Sequence, residues 1–178
     1  MSGLRGEKLS ESHDLFVRLC RTIVGQQLSG NVARVIYSRF ESLFDGKRIT
    51  PEVVLSIKDQ DLRDVGMSWG KVSFIKDLAT KVKEKTLHLN KLDEMTDEEV
   101  KKELMAVKGI GEWTAEMFLM FTLRRENVFS FGDLGLKKGF EKIYGIKASS
   151  SKDIEKVIKN WEPYKTYGSI ALWTANDS

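Results

Sequence analysis

The chain has 178 residues, with 29 Lys and Arg against 26 Asp and Glu and a formal net charge of +3. That length carries one compact domain or two small lobes with a real core, and the mild positive charge permits nucleic-acid binding without arguing for it. A single cysteine, Cys20, excludes an intramolecular disulfide framework and a cysteine-ligated iron–sulfur cluster, and two histidines, His13 and His88, argue against a histidine-rich metal site.

The N-terminal MSGLRGEKLSES is polar and has no signal-peptide core. No apolar run reaches the ~20 residues of a membrane span. The expected setting is cytoplasmic and reducing.

Helical spacing dominates the chain. Leu15, Leu19, Ile23 and Gln27 recur at four-residue intervals in a helix from about Ser12, and Cys20 lies among its apolar residues. Val32, Val35, Ile36, Phe40 and Leu43 predict a second apolar stripe. Thr50 before Pro51 reads as an N-cap with proline in the first turn. Residues 66–71 read as a loop, and the lysine-rich Lys81–Lys91 as a solvated helix end with a connector. Thr96 with Glu99 fits a capping box opening a helix to about Met105. A further helix is predicted from about Glu112 to Leu123. Asp133 caps another. Ser150 with Asp153 is a weaker cap for a helix whose stripe is Ile154, Val157, Ile158 and Trp161. Pro163 starts the last helix, with Tyr167, Ile170 and Leu172 packed. No alternating strand pair and no internal repeat occur. The expected class is all-α, with about ten short helices.

Two features carry chemistry. The string Leu104-x-x-Val107-x-Gly109-Ile110-Gly111 sets a tight turn between two helices. Its glycines allow backbone conformations and close approach that side chains would block, and Ile110 plugs the turn. N–H groups at the start of the next helix are unpaired within it and sit at its positive end, which suits a phosphate. Such a contact reads backbone and so confers affinity, not sequence specificity. The second feature is Asp133, after Phe129-Ser130-Phe131-Gly132. Taken alone, it is a helix cap.

These motifs, with Ile23-Val24-Gly25-Gln26-Gln27-Leu28-Ser29, Gly66-Met67-Ser68-Trp69-Gly70-Lys71 and Trp161-Glu162-Pro163-Tyr164-Lys165 in the same order, resemble the helix-hairpin-helix superfamily of DNA glycosylases. The closest branch is the alkylation-repair branch of 3-methyladenine DNA glycosylase II, without its N-terminal β domain. The resemblance extends over nearly the whole chain. It implies a single glycosylase core over 1–178, with the hairpin in 104–123, the catalytic loop in 129–136 and an active-site cleft between two lobes.

It implies a monofunctional DNA glycosylase of base excision repair that flips an alkylated purine such as 3-methyladenine out of double-stranded DNA and hydrolyses its N-glycosidic bond. Asp133 is then the catalytic carboxylate. Bifunctional relatives carry a nucleophilic lysine where Trp113 stands, so no strand cleavage is expected. The implied base pocket is Trp113, Trp161, Gln26, Trp69, Met117 and Leu134. The implied DNA-binding residues are Gln27, Leu28, Ser29, Lys108, Gly109, Ile110, Gly111, Thr114 and Lys137, with Gln27 or Leu28 as the wedge that fills the emptied stack and Met67 or Ser68 as a second probe. Many members have proline where Ser130 stands, and the nearest have aromatic residues where Met117 and Leu134 stand. No catalytic cofactor is implied. A structural sodium or potassium ion on the carbonyls of Met105, Val107 and Ile110 is. The expected state is a monomer. The alternatives are a non-catalytic damage-binding protein on the same fold and a glycosylase for deaminated or oxidised bases.

Overall fold

The computed structural model describes residues 12–147 and 151–177. Among the described residues there are ten α-helices, two short 3-10 turns and no strand. The chain divides into two compact units, Met1–Gly111 and Glu112–Ser178.

In the first unit, α1 (Ser12–Gly25) buries Leu15, Phe16, Leu19, Cys20, Ile23 and Val24. Burial pushes the Cys20 thiol far above its ordinary pKa, so it behaves as a small apolar side chain. Helix α2 (Gly30–Ser42) corrects the predicted stripe: Val32 and Val35 are about half exposed, and the buried face is Ile36, Tyr37 and Phe40, extended by Phe44 beyond the helix. The large rings win because burial is driven by apolar area, and Phe40 stacks edge-on against Phe44 at 5.0 Å.

Helix α3 (Pro51–Ser56) starts as predicted, with the Thr50 side chain accepting from the Val53 N–H. Two further helices, α4 (Asp59–Asp64) and α5 (Trp69–Lys83), follow. The stretch read as a loop over 66–71 is in part the first turn of α5. Ser68 is its N-cap and accepts from the Lys71 N–H, and Trp69 is its first residue. Met67 is fully buried, so it is not a probe. Helix α6 (Asp97–Met105) opens with the complete Thr96–Glu99 capping box.

The second unit holds α7 (Glu112–Phe121), α8 (Leu134–Tyr144), α9 (Ser151–Ile158) and α10 (Lys165–Asp177). Ser150, read as a cap, lies outside the described residues. The core is Phe129, Leu136, Phe140, Ile154, Ile158 and Leu172. Gly139 lets α8 lie against α10, since a Cβ there would come within 2.2 Å of the Leu172 carbonyl oxygen. The inward face of α10 is not the predicted one. Tyr167 and Ile170 are exposed, and Thr166, Ser169 and Leu172 are buried. Small hydroxyl residues can sit there because their O–H groups bond to carbonyls, Thr166 to Arg125 and Ser169 to Lys165.

Candidate active site

Asp133 ends the loop between α7 and α8. Its backbone is extended, and its Oδ1 accepts from the Leu136 N–H at 2.7 Å, capping α8. The Asp133 N–H in turn donates to the Ser130 carbonyl at 3.2 Å. Upstream, Thr166 pins the loop: its hydroxyl accepts from the Val128 N–H at 3.1 Å. Downstream, Gly135 leaves little room, because a Cβ there would lie 3.1 Å from Asp133 Oδ1 and 3.0 Å from the Trp173 ring.

Two indoles close on the carboxylate. Trp113 Nε1 donates to Oδ2 at 2.7 Å, and Trp173 Nε1 donates to Oδ1 at 3.0 Å. Asp133 is only 9% exposed. Burial pushes its pKa up, but hydrogen bonds from Trp113, Leu136, Trp173 and Gly135 outweigh it, and the carboxyl sits below its ordinary 3.8. Asp133 is therefore ionised at neutral pH, in a place poor in water. Sequence reading missed Trp173. It lies forty residues from Asp133, on a helix whose expected packed residues were Tyr167, Ile170 and Leu172.

The depressed pKa gives a prediction with a definite sign. A carboxyl whose folded pKa is lowered contributes stability above its unfolded pKa and loses it as pH falls through the folded value. Any activity that needs the ionised form is expected to stay flat from neutral pH down to about 5 and to fall only below the usual carboxylate range. Trp173→Phe removes one donor to the charged form, and Trp113→Phe removes the shorter one. Each is expected to move the acid limb to higher pH, Trp113→Phe more. Rate–pH profiles of the three proteins check this, and an unmoved limb in both variants contradicts it.

Of the other residues expected around a base, Trp113 is 50% exposed, so an indole face remains open beyond its N–H. Leu134 is exposed next to Asp133, and Met117 is half-buried on α7. Trp161 is placed differently. It packs on the core, 6.2 Å from Phe129 and 6.4 Å from Tyr144, with its ring seated where a side chain on Gly168 would be. Its large apolar area is partly buried there, so Trp161 serves as a core member of the second unit. Thr114 is buried, so its side chain does not offer itself to DNA. Lys137 is half-buried on α8.

The remaining expected residues are in the first unit, and α5 organises them. Gly109 has φ +80, a conformation that favours glycine, and a Cβ there would lie 2.1 Å from the Phe74 ring. Asp77, one turn further along α5, accepts from the Lys108 N–H at 2.9 Å. The Ile110 N–H donates to the Val107 carbonyl at 3.1 Å, and Ile110 is buried. Two of the hairpin N–H groups are thus already spent. Those of Gly109 and Gly111 meet no acceptor among the described residues, and nothing lies within 4 Å of a Cβ on Gly111.

Gln26, expected in the base pocket, spends its amide elsewhere: Nε2 donates to the Gly109 carbonyl at 2.8 Å. Lys71 Nζ donates to the carbonyls of Val24 and Gln26 at 2.8 and 2.7 Å, which closes the end of α1. The next residue, Gln27, is exposed and held at φ 57, a left-handed conformation costing about 1 kcal/mol outside glycine. Leu28 is half-buried, and Ser29 is exposed at the start of α2. Trp69 is 56% exposed at the start of α5.

The carbonyls of Met105, Val107 and Ile110 are neutral, hard oxygen donors, chemically suited to an alkali cation. Val107 already accepts the Ile110 N–H with one lone pair and retains another. Among the described residues, no group of three or more His, Cys, Asp or Glu side chains is placed to hold a metal ion. None of the described helices is long and apolar enough to cross a membrane.

Comparison with known proteins gives the family. Residues 20–163 match the family of HhH-GPD superfamily base excision DNA repair proteins. A DNA-3-methyladenine glycosylase of Saccharomyces cerevisiae is 35% identical over 85% of this chain and 58% of its own length. A Bacillus subtilis relative is 32% identical over 94% of this chain and 61% of its own length. The chain thus spans about six-tenths of the length of these relatives. Among solved structures, the DNA-3-methyladenine glycosidase of Bacillus halodurans superposes with a TM-score of 0.83, at 38% identity, covering 92% of this chain and 76% of that one. The Schizosaccharomyces pombe 3-methyladenine DNA glycosylase, solved with abasic DNA, gives 0.76 at 26% identity, covering 99% of this chain and 87% of that one. The fold and the match together define a helix-hairpin-helix protein of base excision repair. The chain belongs to the HhH-GPD superfamily.

Proposed function

We propose that this protein is a monofunctional DNA glycosylase that releases alkylated purines, 3-methyladenine among them, and leaves an abasic site. The observation that carries this is the Asp133 carboxylate, held ionised by two indole N–H groups and the start of α8. Breaking an N-glycosidic bond builds positive charge on the deoxyribose. A fixed anion in a water-poor place stabilises that charge and aligns the attacking water. An alkylated purine is already cationic and leaves readily, so one acid residue suffices. The open face of Trp113 stacks on such a base with roughly 0.5–2 kcal/mol of cation–π attraction.

In the first unit, the N–H groups of Gly109 and Gly111 take a DNA phosphate, with the Lys108 side chain beside them. Gln27, exposed at the tip of its turn, is the wedge. The fission-yeast relative was solved with abasic DNA, the product this reaction leaves. No catalytic cofactor is needed, and a sodium or potassium ion on the hairpin carbonyls has a structural role only. We place the protein as a monomer acting on chromosomal DNA in the cytoplasm or nucleus.

Because Trp113 has no nucleophilic amine, the reaction stops at the abasic site. The test is incubation with duplexes carrying 3-methyladenine, 7-methylguanine, hypoxanthine or 8-oxoguanine. Breaks on the methylated duplexes that need heat and alkali, and no adduct after borohydride, are expected. High-yield borohydride trapping contradicts the monofunctional reading. Binding without any base release points to a damage-binding protein instead.

A further inference from the structure

Glu116 is 6% exposed on α7, and Ser130 is fully buried in the loop before Asp133. Ser130 Oγ donates to Glu116 Oε2 at 2.5 Å. Carrying a carboxyl group to that depth costs several kcal/mol unless polar partners meet it. A glutamate flanked on α7 by buried Ala115, Phe118 and Leu119 therefore needs an account, and the reaction as derived does not use it.

Position supplies the account. Glu116 follows Trp113 by three residues, so both project from the same side of α7. Trp113 reaches the Asp133 carboxylate, while Glu116 reaches Ser130, whose carbonyl holds the Asp133 N–H. Helix α7 thus grips the same loop twice, once at the carboxylate and once three residues upstream. Trp113, Asp133, Ser130 and Glu116 close a ring through one turn of α7. Leu136 and Trp173 hold the carboxylate at Oδ1 and Thr166 holds the loop at Val128; the Glu116 bond adds the tether between them, at Ser130.

We propose that Glu116 is a positioning residue that acts through Ser130 to keep the Asp133 carboxylate aligned on the Trp113 N–H and on the reacting sugar. This rests on the reading of Asp133 as the catalytic carboxylate. Its loss falls on the chemical step, because misplacing a reacting group by about 1 Å costs on the order of 10²-fold in rate.

Three variants test it. Glu116→Gln keeps an acceptor oxygen, Glu116→Leu keeps volume without one, and Ser130→Ala removes the donor. Single-turnover release of 7-methylguanine, DNA affinity and the Trp indole N–H resonances of ¹⁵N-labelled protein are measured, the resonances being assigned with Trp→Phe variants. Glu116→Leu and Ser130→Ala are expected to slow release about 10- to 100-fold. DNA affinity should stay within about twofold of wild type. The Trp113 indole resonance should move upfield as its carboxylate bond loosens, and Glu116→Gln should restore most of both. Wild-type rates in Glu116→Leu and Ser130→Ala overturn the proposal. So does an unmoved Trp113 resonance, or a Glu116→Gln protein as slow as Glu116→Leu. Should Glu116→Leu fail to fold, Ser130→Ala, a loss of one oxygen, decides the matter. Asp133→Asn run alongside separates the two readings: normal release by Asp133→Asn removes the catalytic reading. An inert Asp133→Asn beside unaffected Glu116→Leu and Ser130→Ala removes only the role of Glu116.

Discussion

Asp133→Asn is expected to fold and to bind methylated DNA, but to release the base on the order of 10³-fold more slowly than wild type in single turnover. The amide lacks the charge that opposes the growing cation on the sugar. It also breaks the local hydrogen-bond pattern. Oδ1 accepts from both Leu136 and Trp173, so the amide oxygen takes that place. The amide NH₂ then faces Trp113 Nε1, where the carboxylate oxygen accepted at 2.7 Å. Two donors cannot share that contact, so Trp113 is displaced, at about 1–3 kcal/mol for the unmet group. That cost is offset in part by relief of the buried charge, so melting should shift by only a few degrees while the rate collapses. Asp133→Glu is informative in the other direction. It keeps the charge and loses the register, and should recover little. Asp133→Asn within about tenfold of wild type would remove Asp133 from the chemistry.

The parts of this fold that were legible in the chain are those whose signals are local. The Thr50–Pro51 start and the Thr96–Glu99 capping box are set by residues three apart, and both formed as read. Asp133 capping α8 is of the same kind. Helix faces were harder. On α2 the spacing of Val32 and Val35 matched a buried stripe equally well, and only the packing of Phe40 with Phe44 decides which side turns inward. On α10 the inward face is built from hydroxyls that satisfy themselves on nearby carbonyls, a pattern that polarity alone reads as surface. At the site, the hairpin string stood out by its glycines, whereas Asp133 taken alone read as a helix cap and gained its role only from the resemblance of the surrounding motifs. Trp173, Glu116 and Phe74 did not stand out. Each acts through a partner 14 to 40 residues away or across helices, and nothing near them in the chain marks the contact. Gln26 was expected in the base pocket from the resemblance, and its amide donates to the Gly109 carbonyl of the hairpin.

The two hairpin glycines are expected to fail in different ways when given a methyl group, and the contrast tests the backbone clamp directly. At Gly109 the cause is internal. An alanine would have to adopt φ +80 and would drive its Cβ to 2.1 Å from Phe74. Left-handed strain plus overpacking comes to about 2–4 kcal/mol. Gly109→Ala should therefore melt well below wild type and bind DNA weakly, and Phe74→Leu in the same chain should recover part of the stability. At Gly111 there is no internal cause, because a Cβ there meets nothing within 4 Å and the backbone is not left-handed. Gly111→Ala should melt within a degree or two of wild type. If the open N–H groups of the hairpin exist to let a phosphate approach, that same methyl group stands in the phosphate's path. DNA affinity should then fall about tenfold or more, equally for methylated and undamaged duplexes, since a phosphate contact carries no base information. The salt dependence of binding should be shallower as well. Melting curves with fluorescence anisotropy at two salt concentrations separate the cases. A Gly111→Ala protein that is stable and binds as wild type would show that the phosphate does not approach the hairpin here. One that is stable and binds poorly shows that the space beside Gly111 is reserved for something outside the protein.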